Sequence, residues 1–253
     1  MPDYKSLEKQ FQQTLGLTRR PVAVAFPVAE DFPVAEDFPV AVASVDETSA
    51  VESFAGSEPA GCSFWRLAAE GRTFSTVPSD HYNCPVGSYT HNIPLPEARA
   101  HELPSILGTM TSLGYLKMEE VPGIPVLPET PKTIVYAPLG DTPVDPDVVL
   151  FVLRPGKLMW LEEAALRAGV SSKMPLLARP TCMAIPAAMA HGVVTSAGCV
   201  GNRVYTRIGD DELYAAIPGR ALQAVARELE TIEAANLALA QHHQERQSQL
   251  STV

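Results

Sequence analysis

The chain has 253 residues, 46% hydrophobic and 19% charged, an ordinary globular composition that excludes disorder for most of its length. Against 29 acidic residues stand 19 basic ones, and a formal charge of −10 excludes nucleic acid as a general partner. No apolar run reaches the roughly 18 residues of a membrane span, and the polar opening MPDYKSLEKQFQQ has no signal-peptide core, so a cytoplasmic protein that does not enter a membrane is predicted.

Residues 3–17 read as an amphipathic helix, with Tyr4, Leu7, Phe11 and Leu15 at helical spacing and Gly16 as its stop. A β-rich run, PVAVAF, follows at 21–26. Then the hexapeptide Phe-Pro-Val-Ala-Glu-Asp at 26–31 is copied at 32–37, and a third copy begins at Phe38. Proline every six residues forbids a continuous helix or a central strand. The segment 26–43 is therefore read as an insertion that lengthens a surface loop, at small free-energy cost. A proline-spaced recognition segment is the competing reading.

A short helix is predicted from Cys62 to Gly71 and a strand at 73–77, followed by the turn-rich Asp80-His-Tyr-Asn-Cys-Pro-Val-Gly87. Residues 96–116 read as helical, with His91 and His101 at its surface. Strands are expected at 132–137 and 147–153, the second apolar throughout, as a strand buried on both faces would be. A helix at 156–168 comes next. Further strands are predicted at 193–196 and 204–208, then a short helix capped by Asp210 and reaching 217. The last helix starts at Pro218. The expected fold is one α+β (or α/β) domain over 1–240, a mixed sheet flanked by helices, with 241–253 as a frayed polar tail. The alanine-rich surface of 221–240 suits a homodimer.

Four cysteines are present, Cys62, Cys84, Cys182 and Cys199. Structural disulfides are not expected in a reducing cytosol. Four is also the number of thiolates that fills a tetrahedral zinc site or holds a cubane cluster. The spacing argues against a known motif, because 21, 97 and 16 residues separate successive cysteines and no Cys-x-x-Cys occurs. The surroundings argue for a site. Cys84 precedes proline, Cys62 follows glycine, and Cys199 lies in Gly-Cys-Val-Gly-Asn-Arg, where glycine lets backbone approach a ligand closely.

His81, three residues before Cys84, and His191, between Cys182 and Cys199, are candidate proton donors or ligands. Arg203 and Arg179 are candidates for lowering a thiol's pKa or holding a carboxylate, and a salt bridge to Asp210 or Asp211 is the plainer reading for a nearby arginine.

Taken together these segments resemble the bacterial and archaeal family catalogued as domain of unknown function 169. The resemblance runs from Arg20-Pro-Val-Ala-Val24 through Asp80-His81, Cys84-Pro85 and Pro146-Asp-Val-Val-Leu-Phe151. It ends with Cys182, Gly198-Cys199, Arg203 and Asp211-Glu212 leading to Ala216-Ile217-Pro218. It implies that all four cysteine positions are family features sharing one cofactor, with an iron–sulfur cluster as the best candidate. The family's frequency in anaerobes suits an oxygen-sensitive cluster. The hexapeptide repeat departs from the family pattern.

The function expected on these grounds is a [4Fe–4S] protein with Cys62, Cys84, Cys182 and Cys199 as ligands. It is expected to be a redox or Lewis-acid enzyme acting on a small molecule, or a partner in electron transfer, with His81, His191 and Arg203 at the chemistry. The alternatives are a cofactor-free enzyme using Cys84 or Cys199 as nucleophile or base, a zinc-stabilised small-molecule binding module, and a thiolate-ligated haem protein.

Overall fold

A computed structural model of the protein describes residues 2–27, 51–170, 174, 176–177 and 179–250. From position 28 onward the hexapeptide repeat lies outside the described residues.

The first helix, α1 (Tyr4–Leu15), starts where the Asp3 carboxylate accepts the Ser6 N–H at 3.0 Å, and it buries Tyr4, Phe11 and Leu15. Strand β1 (Val22–Ala25) follows. Helix α2 (Gly61–Ala69), strand β2 (Phe74–Thr76) and the short helix α3 (Pro85–Thr90) come next. Then come α4 (Glu102–Ser112), β3 (Ile134–Pro138), β4 (Val148–Leu153) and α5 (Pro155–Arg167). The chain closes with α6 (Ala184–His191), β5 (Val194–Ser196), α7 (Val200–Thr206), β6 (Leu213–Pro218) and α8 (Leu222–Leu250).

The strands form one six-stranded sheet in the order β2-β3-β1-β4-β6-β5. Every pairing between these strands is antiparallel, so the mixed sheet expected from the sequence is corrected to an antiparallel one in an α+β domain. Among the described residues, parallel contact is confined to the isolated bridges Ser53–Ser75 and Leu177–Ser196. The sequence at 147–156, strand then Pro-Gly then helix, reads as a parallel crossover unit. Here the next strand, β5, does run parallel to β4 but is not its neighbour, because the antiparallel β6 lies between them.

Period-two alternation divides the core in two. Val148 and Leu150 of β4 join Val22, Val24, Ile134, Tyr136, Tyr214 and Ala216 on the face covered by α2 and α6. Val149, Phe151 and Leu153 point the other way, with Ala23, Ala215 and Ile217, into α1, α5 and α8. Since β4 is buried on both faces, its sequence is apolar throughout.

Two local expectations fail for tertiary reasons. The strand expected at 204–208 lies largely in α7, which buries Asn202 and Thr206 at helical spacing and exposes Val200 and Val204. The helix expected from Asp210 to 217 is instead β6, whose six residues pair with β4 from Leu213–Leu153 to Pro218–Val148. Burial of Ala215, Ala216 and Ile217 in the sheet outweighs alanine's helical preference. The expected frayed tail from 241 continues as exposed helix, and α8 reaches Leu250, a rod about 43 Å long at 1.5 Å per residue. No helix among the described residues is long and apolar enough to cross a membrane.

Candidate functional site

Each cysteine stands at the start of a helical segment. Cys62 occupies the first turn of α2, which is anchored on the sheet by the buried Phe64, Trp65 and Ala68. Cys84 is the N-cap of α3, Pro85 opens that helix, and the Gly87 N–H donates to Cys84 Sγ at 3.3 Å. A β-carbon at position 87 would come within 3.0 Å of that sulfur, so glycine is what allows the backbone so close. Cys182 lies in the tight turn Thr181–Met183 ahead of α6, its Sγ 4.0 Å from the Val86 carbonyl. Cys199 is the N-cap of α7, preceded by Gly198 at φ +80°. Its N–H donates to the Thr181 hydroxyl at 2.5 Å, which ties the two C-terminal cysteine turns together.

All four thiols line one cavity of about 360 Å³. They are unpaired and half-buried. They also feel one another. Burial pushes Cys62 up to about 12, with Cys84 and then Cys199 adding to the rise. Cys84 is raised by burial against the N–H groups of Gly87 and Gly61. Cys182 is raised well above the ordinary thiol range by burial first, then by Cys84. Two separate stretches of chain therefore deliver four thiols to one cavity, with backbone N–H groups already directed at the sulfur of Cys84. Among the described residues, no three histidine, cysteine, aspartate or glutamate side chains converge on a position for a single metal ion.

Two buried histidines stack beside this cavity, and one of them lines it. His81 is buried and shares a hydrogen bond of 2.9 Å between its Nε2 and the Thr76 hydroxyl. Burial, and then His91, lower its pKa to about 3. It stacks on His91 at a ring separation of 6.0 Å but is not among the residues lining the cavity. His91, expected at the surface, is only 2% exposed and lines the cavity instead. Its Nδ1 meets the Gly87 carbonyl at 3.0 Å, and burial pushes it down to about 4. A neutral ring donating from Nδ1 presents a lone pair at Nε2, and that atom has no partner. No periodicity in the sequence could have found it, because α3 has only six residues.

The other candidates are placed differently. His191 is exposed at the end of α6, a helix length of about 12 Å from the turn holding Cys182, and it does not line the cavity. Arg203 donates to the Gly209 carbonyl at 2.8 Å, to Ala197 at 2.5 Å and to Glu212 at 3.1 Å. It also stands 3.6 Å from Asp210. It thus clamps the turn between α7 and β6 rather than facing the cysteines. Arg179 does line the cavity, as does Asn202, whose buried amide has neither polar atom hydrogen-bonded.

A second hollow, about 390 Å³, lies beside Tyr4, Asp145 and Asp147. The Tyr4 hydroxyl there donates to Asp145 at 2.8 Å, and the Asp147 carboxylate accepts the Phe26 N–H at 2.7 Å. The cysteine cavity, by contrast, is walled in part by His91, Arg179 and Asn202, each with a buried polar atom left over. Unpaired buried polar atoms are uncommon in native proteins and call for a ligand or water to satisfy them.

A family model described as DUF169, Uncharacterised ArCR, matches residues 10–228, a span that includes all four cysteines. No curated protein and no solved structure matches the chain. The chain belongs to the DUF169 family.

Proposed function

We propose that this protein holds an iron–sulfur cluster, [4Fe–4S], on Cys62, Cys84, Cys182 and Cys199, and uses it on a small molecule that enters the same cavity. The observation that carries the reading is the gathering of four thiols, from turns far apart in sequence, on the wall of one cavity. A mononuclear zinc site needs its ligands around one point, whereas a cubane binds each thiolate at its own corner. The chain also supplies N–H donors to sulfur at Cys84 and a free amide at Asn202, and hydrogen bonds to sulfur tune a cluster's potential. When bound, the group supplies electron transfer, or Lewis-acid activation if one iron lacks a thiolate.

A free cysteine nucleophile is less well served. It needs a lowered thiol pKa, and burial raises Cys62, Cys84 and Cys182. His81 and His91, the nearest imidazoles, are themselves held neutral by burial. Four unpaired thiols suit a reducing cytoplasm.

The test is purification without oxygen, with an absorption spectrum and iron and sulfide assays on one sample. A broad shoulder near roughly 400 nm and about four irons per chain are expected. Single Cys→Ala variants at the four positions should each lower iron content, and a variant that keeps a full complement marks an iron without a thiolate. Protein that stays colourless and iron-free after reconstitution overturns the reading.

A further inference from the structure

The part of the cavity not made of cysteine has its own chemistry. Ile106, Leu107 and Met110 of α4 line it, yet α4 has no fully buried residue. An apolar helical stripe facing a cavity, and only half covered there, lacks its apolar partner. Among the described residues, Arg179 is the one lysine or arginine in the lining, and no aspartate or glutamate joins it. The guanidinium lies over the Tyr115 ring at 5.0 Å, a cation–π contact. Its Nη2 reaches Glu120 at 3.2 Å, while its Nε is buried and has no partner. A single guanidinium can neutralise one carboxylate but not a phosphate dianion, so a ligand monoanion must take the place that Glu120 now holds. The volume, about 360 Å³, lies at the small end of ligand pockets.

We propose that the cavity binds a hydrophobic monocarboxylic acid, its carboxylate held by Arg179 and its apolar body laid against Ile106, Leu107 and Met110. This site shares its cavity with the cluster proposed above but stands on Arg179 and α4 rather than on the thiols. Glu120 is its built-in competitor, the carboxylate that holds Nη2 until a ligand carboxylate displaces it and takes Nε as well.

Calorimetric titration of the full-length protein, both as purified and after iron removal, tests this with octanoate, 1-octanol and acetate as probes. Octanoate is expected to bind in at least one form, with 1-octanol and acetate at least tenfold weaker, since one lacks the charge and the other the apolar body. Arg179→Gln should weaken octanoate at least tenfold and leave 1-octanol unchanged. Glu120→Gln, which removes the competitor, should tighten octanoate severalfold. This opposite sign separates charge recognition from damage to the fold. Three results each overturn the proposal: 1-octanol binding as well as octanoate, octanoate binding unaffected by Arg179→Gln, or no octanoate binding to either form. Iron assayed on the same samples keeps the two readings apart, because failure of the cluster leaves the octanoate result standing and the reverse also holds.

Discussion

On the face of the sheet that meets α1, α5 and α8, the packed side chains are apolar but for the Tyr4 hydroxyl, which donates to Asp145, and the one buried carboxylate among the described residues is fully answered. Glu8 accepts from Arg20 Nε at 2.5 Å and Nη2 at 3.0 Å, and from the Gly140 N–H. On the face that meets α2 and α6, the same sheet packs against rings, imidazoles and thiols. The buried side-chain N and O atoms left without a partner among the described residues belong to Ser63, Trp65, His91, Tyr136, Arg179 and Asn202, all on this side or in the cavity beyond it. The first face is arranged for stability. The second carries unpaired polar groups that folding alone does not require, which is where a binding function is expected.

Acid should expose the contrast most strongly. His81 and His91 sit on the second face with pKa values of about 3 and about 4, below the 6.5 of an unperturbed histidine. The unfolded chain therefore takes up protons first as the pH falls. Their contribution is complete above pH 6.5 and is lost on acidification, at up to about 1.4 kcal/mol per pH unit for each ring. Urea midpoints of iron-free protein between pH 7 and 5 should show this slope, and neither imidazole should titrate above pH 5 by NMR. A flat profile would mean that the second face is wetter than the structure shows.

Cutting into the first face comes next in size. Phe11 is fully buried and meets Phe151 edge-on at 4.9 Å. Phe11→Ala should destabilise by about 3–5 kcal/mol in urea unfolding. Octanoate affinity should be unchanged wherever the variant remains folded, and a parallel loss of affinity would break the division between the faces. The smallest effect has the opposite sign. Tyr136 buries a hydroxyl without a partner, so Tyr136→Phe should stabilise the iron-free protein by about 1 kcal/mol, and a loss of stability would show that the hydroxyl is satisfied after all.

Much of the frame was legible along the chain. The spacing of Tyr4, Phe11 and Leu15 marked α1, and the unbroken apolar run at 148–153 marked a strand with both faces covered. The cysteine turns were recognisable from their glycine and proline neighbours, and Arg179 from its nearness to Cys182. What misled was local preference without its tertiary setting. Val204 and Tyr205 suggest a strand, yet they decorate the outside of α7. Ala215 and Ala216 suggest a helix, yet they lie on opposite faces of β6, each packed into a core. His91 sits amid polar sequence and still lies in the interior, because a six-residue helix turns it back onto the Gly87 carbonyl.

The sequence by itself determined the charge balance, the α+β composition, the family and the four turns able to present a thiol, since these depend on residue type and near neighbours. Only the tertiary structure decided that the four turns share a cavity, that His91 and Arg179 line it, and that Arg203 is a clamp and His191 a surface group. The physical reason is range. Side-chain spacing reports on contacts a few residues apart, while the site is assembled by sheet pairings and helix packing that join residues up to more than a hundred positions distant.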